Sequence, residues 1–281
     1  IGEYAFYNCT LLEDIKLSNS IQKIERETFY GCESLKQIDL PSTLNEIGNY
    51  AFSRCTSLTQ IELPNSLTTI GNYAFESCIG ITKVVIPNSV TVIEENVFNS
   101  CYALEEVTIS NQIQNINPNV FNDCSELTKI LVNNSQYYTS ENGILYNKAK
   151  TKLVMAPKGI SNITIPQGVV EIGESALENC TRLETITLPN SLKTIGNKAF
   201  RDCNILEKIE IPNSVTSIGE YGFSYCSNLK NITISTTLTK IESNLFYSCD
   251  QLENITIPNS VTEIGTYAFA CCSNLKSIVI P

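Results

Sequence analysis

A single 23-residue clock runs through this chain and leaves it very few folds to choose from. Cysteine falls at Cys9, Cys32, Cys55, Cys78, Cys101 and Cys124, and again at Cys180, Cys203, Cys226, Cys249 and Cys272. Every step is 23 residues except one of 56, which is 23 plus 33. All ten phenylalanines keep a matching register, from Phe6 to Phe121 and from Phe200 to Phe269, and Leu177 takes the one slot left over. A unit this short cannot bury its apolar side alone. Stacked on copies of itself it makes a continuous core, with stability drawn mainly from contacts between neighbours. The expected fold class is a repeat solenoid.

The consensus L-x-x-I-x-I-P-N-S-V-T-x-I-G-x-x-A-F-x-x-C assigns parts to each coil. Leu58, Ile61 and Leu63 end a run closed by Pro64, which reads as a buried strand; proline has no amide to donate and hands the chain to a turn. Leu67 to Ile70 returns as a second extended segment. Gly71 reads as a helix start, because Phe75 and Cys78 (three apart) and Ala74 and Cys78 (four apart) have helical spacing. Twelve strand motifs, from Leu12 to Leu275, predict one parallel sheet of about twelve short strands with short helical turns opposite, roughly 55 Å long at about 4.8 Å per strand. The chain reads as a single domain over 1–281, with one irregular 33-residue repeat at 127–159. It begins midway through a repeat at Ile1-Gly2 and ends just after a strand at Ile280-Pro281, which reads as a fragment of a longer array.

The motif V-T-x-I-G-x-x-A-F-x-x-C-x-x-L-x-x-I-x-I-P-N-S resembles the BspA-like (Treponema-type) leucine-rich repeats. Gly71 to Ser89 and Gly265 to Pro281 show it almost without departure, and the resemblance covers essentially the whole chain. It implies an α/β repeat, dominated by β structure, in a cell-surface or secreted protein. It also implies adhesion, through contacts with host matrix proteins such as fibronectin and fibrinogen or with other cells. The family supplies no catalytic motif to carry over. The alternative is a passive spacer or stalk that holds another domain away from a surface.

Composition narrows the function further. The net charge of −10 disfavours nucleic acid, since phosphate binding needs a basic face. No stretch approaches the roughly 20 apolar residues of a membrane-spanning helix. With no histidine, Ser–His and Cys–His nucleophiles are unavailable and no His-containing metal site can be completed, so neither catalysis nor a cofactor is expected. The cysteines sit on the core side, once per repeat. A parallel stack points their Cβ vectors alike, so free buried thiols are expected rather than disulfides. Cys271 alone lies outside the register.

Candidate binding residues come from two places. The middle residue of I-x-I should point outward in every coil, a row that includes Glu62, Val85, Thr108 and Leu131, with Thr dominating from Thr164 to Thr256. Val85 and Leu131 are apolar in this polar row, and exposed apolar residues can mark a contact. The irregular repeat offers Lys148, Lys150 and Lys152, a local cluster of positive charge, on what reads as a β-hairpin between Ile144-Leu145-Tyr146 and Lys152-Leu153-Val154. The favoured reading of this repeat is a structural variant that adjusts the coil pitch, with a ligand site as the alternative. Tyr4, Tyr7, Tyr30, Tyr50 and Tyr73 are expected to group on the opposite face, as a binding patch or as a cover over the turns. The expected partner is a large protein or glycan surface, met by a monomer.

Overall fold

The computed structural model describes residues 1–280. The chain comprises two compact units, Ile1–Lys148 and Ala149–Pro281. Each is a stack of parallel coils, so the repeat solenoid read from the sequence is the observed fold class.

Every coil contributes to a ladder of short strands. In the first unit the T-x-I segments Lys23–Ile24, Glu46–Ile47 and Thr69–Ile70 pair in parallel, followed by Val92–Ile93 with Asn115–Ile116. The L-x-x-I-x-I segments Lys83–Val85, Glu106–Ile109 and Lys129–Val132 form a second parallel ladder. In the second unit Lys152–Met155, Glu171–Ile172, Thr194–Ile195 and Ser217–Ile218 make the first ladder, continued by Lys240–Ile241 with Glu263–Ile264. Its second ladder comes in pairs: Asn162–Thr164 with Thr185–Thr187, Lys208–Glu210 with Asn231–Thr233, and Asn254–Thr256 with Ser277–Val279. Identical consensus positions face one another throughout, as in Val84, Val107 and Ile130. A slip of one residue would turn every inward Ile out to water, so burial fixes the register.

The core is a set of stacks of like residues. Phe29, Phe52, Phe75 and Phe98 are fully buried and stack ring on ring at 5.3, 5.4 and 5.4 Å. In the second unit Phe200 and Phe223 stack at 4.9 Å, and Leu177 is equally buried in the slot where the clock expects Phe. The P-N-S turn is closed by its own backbone and, in several coils, by its serine. Leu67 N–H donates to Pro64 C=O at 3.0 Å, closing the P-N-S turn, and Ser66 Oγ donates to Leu44 C=O of the preceding coil. Gly71 is required by crowding: a Cβ there would lie 2.6 Å from the Asn49 amide nitrogen, under the distance any real Cβ tolerates.

All twelve cysteines are free thiols. Most are buried, and eight of the Sγ atoms in register donate to the carbonyl of the phenylalanine 26 residues back, as in Cys55 to Phe29 (3.2 Å), Cys78 to Phe52 (3.1 Å) and Cys226 to Phe200 (3.0 Å), while Cys203 donates to Leu177 C=O and Cys180 to Pro157 C=O. Burial pushes the Cys55, Cys78, Cys101, Cys203 and Cys249 thiols well up from their ordinary ionisation, and Cys180 to about 12.

Two local expectations are corrected. The A-F-x-x-C segment forms no helix, and there is none among the described residues. Its amides alternate instead. Ala51, Ser53 and Cys55 donate to the carbonyls three residues back, whereas Tyr50, Phe52 and Arg54 donate to Asn72, Ala74 and Glu76 of the next coil. Tyr50 and Arg54 sit at φ 56° and 61°, which closes tight turns and blocks a continuous helix. Phe and Cys still face the core three residues apart, so the spacing looked helical. Gly71 is correspondingly a packing residue and not a helix start. Next, the motifs at Leu12, Leu35 and Leu58 stack without becoming strands, held by sparse bonds such as Lys36 N–H to Glu13 C=O at 3.3 Å. Asp39 and Glu62 occupy neighbouring outward positions there, and like charges directly opposite weaken a strand pair. The irregular repeat also contains an arm that the apolar pattern did not mark. Tyr138–Glu141 pairs antiparallel with Ile144–Asn147, around a two-residue turn in which Asn142 and Gly143 both have positive φ, 52° and 80°.

Candidate interaction surface

The outward row exists as expected from Lys83 onward. In the first unit Val85, Thr108 and Leu131 are consecutive partners across the second ladder. Val85 is 64% exposed, while Thr108 and Leu131 are half-buried. Glu62 is exposed in the coil before them. Leu131 is partly covered because the hairpin closes over its strand: Ile130 N–H donates to Gly143 C=O at 2.8 Å and Val132 N–H to Ser140 Oγ at 3.2 Å. Gly143 admits that approach since a Cβ would fall 2.5 Å from Thr128 C=O. The hairpin thus terminates the second ladder of this unit. Two residues inward along the same face, Lys83, Glu106 and Lys129 form a chain of ion pairs at 3.9 and 3.6 Å.

The three lysines have separate settings. Lys148, in the first unit, donates its ammonium to Ser135 C=O at 2.6 Å while the residue remains exposed. In the second unit Lys150 is exposed at φ 53°, and Lys152 pairs with Glu171 at 2.7 Å.

The second unit presents a different surface on its second ladder. Thr164, Thr187, Glu210, Thr233 and Thr256 are all exposed along the outward row. Between Thr185–Thr187 and Lys208–Glu210, where the ladder is interrupted, lies a groove of about 1070 Å³ lined by residues of 184–233. Lys208 holds the Glu210 carboxylate at 2.6 Å and below its ordinary pKa, chiefly through that hydrogen bond. The sequence reading noted the Thr-rich row but not the groove. Nothing in the repeat consensus marks where the ladder is interrupted.

The turn face carries the tyrosines in two groups and not one patch. Tyr7 stacks on Tyr30 at 5.0 Å, with the Arg54 guanidinium 5.5 Å above the Tyr30 ring. Tyr50 stacks on Tyr73 at 4.8 Å, and the Tyr73 hydroxyl accepts from Asn96 Nδ2 at 2.9 Å. The second unit repeats the device with Arg201 over Tyr225 at 5.4 Å. Arginine's part was not visible in the sequence, because it stands 24 residues from the ring it covers.

Comparison with known proteins agrees with this geometry. The BspA type leucine rich repeat region matches residues 1–128, 45–157 and 154–276. A leucine rich cell surface protein from Faecalibacterium prausnitzii A2-165 is 32% identical, covering 99% of this chain and 82% of that one, with a TM-score of 0.74. A leucine-rich repeat protein from Bacteroides ovatus is 30% identical over 99% of this chain and 75% of its own, with a TM-score of 0.68. The pneumococcal vaccine antigen PcpA shares the fold at 24% identity, with a TM-score of 0.64 over 94% of this chain and 78% of its own. The curated proteins provide no match. No helix among the described residues is long and apolar enough to cross a membrane. The shared motif, the coil geometry and these relatives together place the chain in the BspA-type leucine-rich repeat family.

Proposed function

We propose that this chain is the interaction module of a cell-surface or secreted protein and adheres to a large partner, a host matrix protein or a cell-surface glycan. The observation that carries the reading is the outward row itself. The interior is filled by the Phe, Leu, Ile and Cys stacks, while the outward position changes from coil to coil, as Glu62, Val85, Thr108, Leu131 and onward. Recognition on such a surface sums many weak contacts over a long footprint, which suits a macromolecule and not a small metabolite. Val85, Leu131 and Thr108 supply an apolar and hydroxyl patch on the first unit; Lys148, Lys150 and Lys152 supply positive charge for an acidic partner. A catalytic role has no residue set to support it, and the relatives' names describe repeat and surface proteins.

The test is binding of the full chain to immobilised fibronectin, fibrinogen and cultured cells. Replacing Lys148, Lys150 and Lys152 with Glu should weaken binding and lower its salt sensitivity. Replacing Val85 and Leu131 with Ser should slow capture or speed release. If both variants bind an identified partner as tightly as the parent, the assignment to this face is wrong.

A further inference from the structure

The three-residue segment that crosses the second ladder opens with asparagine in three coils only, at Asn162, Asn231 and Asn254. Asparagine is depleted in strands, because its short amide competes for the backbone, so packing gives no reason for it there. Each of the three is followed by Ile and then by Thr, at Thr164, Thr233 and Thr256. In the nine coils that open otherwise, the third residue is Thr only at Thr108 and Thr187. Asn and Thr therefore arrive together. Alternation puts both on the outward face, and all six side chains are exposed. The ladder of the first unit has no such triplet, since its strands open with Lys83, Glu106 and Lys129.

We infer that Asn162, Asn231 and Asn254 are acceptors for N-linked glycans, carried on the outward row of the second unit. Asn-x-Ser/Thr, with x other than Pro, is the acceptor sequence for oligosaccharide transfer. The donor is an oligosaccharide on a polyprenyl pyrophosphate. A bond forms between Asn Nδ2 and the anomeric carbon of the first sugar, and the bond from that carbon to the pyrophosphate oxygen breaks. The lipid pyrophosphate leaves, and Nδ2 gives up one of its two protons. The folded coil accommodates the product. Thr185 Oγ1 donates to Asn162 Oδ1 and Ser277 Oγ to Asn254 Oδ1, and both bonds use the carbonyl oxygen that the linkage leaves free. Asn162 Nδ2 donates one hydrogen to Ser161 Oγ at 3.0 Å, and the glycosylated amide keeps one hydrogen. A sugar leaving these exposed amides displaces no core side chain, because the intervening Ile163 and Ile255 point inward and are buried. The same letters at Asn179-Cys180-Thr181 have a different setting, a half-buried Asn at φ 58° beside a fully buried Cys, and are not assigned. The inference rests on the secreted or cell-surface part of the proposed function, since the lipid-linked donor is met on the secretory route. It leaves Val85, Thr108 and Leu131, in triplets without asparagine, bare for a partner.

The experiment isolates the chain from the surface, medium and cytosolic fractions of its own source cells and digests it with peptide:N-glycosidase in heavy-oxygen water. Peptide mass spectrometry should find Asn162, Asn231 and Asn254 converted to labelled aspartate. In gels of the undigested protein, Thr164→Ala, Thr233→Ala and Thr256→Ala should each remove one glycan step of mobility although the asparagine is untouched. Thr164→Ser, which keeps the hydroxyl, should retain its step. A chain recovered from the surface or medium with these three asparagines unmodified, or a triple Thr→Ala variant that migrates with the parent, overturns the glycan sites and leaves the interaction module standing. A chain confined to the cytosol overturns both the glycan sites and the surface reading beneath them.

Discussion

Buried thiols make this fold sensitive to alkali, and Cys78→Ser isolates the effect. Cys78 is completely buried and donates to Phe52 C=O. Desolvation raises its pKa above the ordinary 9.0, which only the unfolded chain keeps. A thiol raised on folding contributes its full stability below pH 9.0 and loses it as pH rises from there toward the folded value. At pH 10 an unfolded thiol of pKa 9.0 has gained about 1.4 kcal/mol from ionisation, while at pH 8 it has gained under about 0.1 kcal/mol. Cys55, Cys78 and Cys101 in the first unit would therefore cost about 4 kcal/mol together at pH 10, a large part of the 5–15 kcal/mol typical of a domain. Cys78→Ser keeps a donor but loses sulfur packing, and should cost about 1 kcal/mol at pH 8. Since serine does not ionise in this range, the deficit should shrink by about 1.4 kcal/mol and vanish or reverse at pH 10. Urea unfolding of both proteins under reducing conditions at pH 8, 9 and 10 measures this. A difference that stays constant with pH would mean the thiol is already hydrated in the folded state, and the burial argument fails.

Other perturbations follow from the same geometry. Gly71→Ala drives a Cβ to within 2.6 Å of Asn49 N and should destabilise the first unit by at least about 1–3 kcal/mol in denaturant unfolding. Ser77→Gly relieves a non-glycine residue at φ 55°; after the entropy gained by the unfolded chain it should be neutral or stabilising by about 0.5 kcal/mol, whereas Ser77→Val should destabilise. At the acid end Glu13, Glu210 and Glu253 are held below their ordinary 4.5 by hydrogen bonds from Lys36, Lys208 and Lys276. Their contribution is present above that pH and lost as pH falls below it, and because all three are exposed the acid limb should flatten in high salt.

How much of this was legible in the sequence depended on whether a residue answered to burial or to hydrogen-bond direction. Phe75, Cys78 and Ile70 announced their inward positions because a buried slot in a stack accepts the same side chain every 23 residues. The outward position of Val85 followed from alternation alone. Backbone direction left no such trace: Phe75 and Cys78 are three apart in a helix and in this string of tight turns, and only the positive φ of Tyr73 and Ser77, non-glycine residues, separates the two. In the irregular repeat the Asn142-Gly143 turn was a strong hairpin signal, but its first arm Tyr138–Glu141 is polar and half-buried throughout, with no apolar alternation to mark it as a strand. The groove on the second unit depends on where a ladder is interrupted between repeats of near-identical sequence, and the pairing preference of these strands is not written in their consensus.

The face that binds is the centre of the account, and hydroxyl-radical footprinting of the full chain with and without a bound partner reads it directly. Val85 is 64% exposed, and Tyr4 and Tyr7 on the turn face are 45% and 43% exposed, so both faces begin with reactive side chains. Binding through the outward row predicts that Val85 and Leu131 become protected while Tyr4, Tyr7 and Tyr30 oxidise at their free rates. Protection confined to the tyrosines and Arg54, with Val85 unchanged, would contradict it and move the interaction surface to the turns.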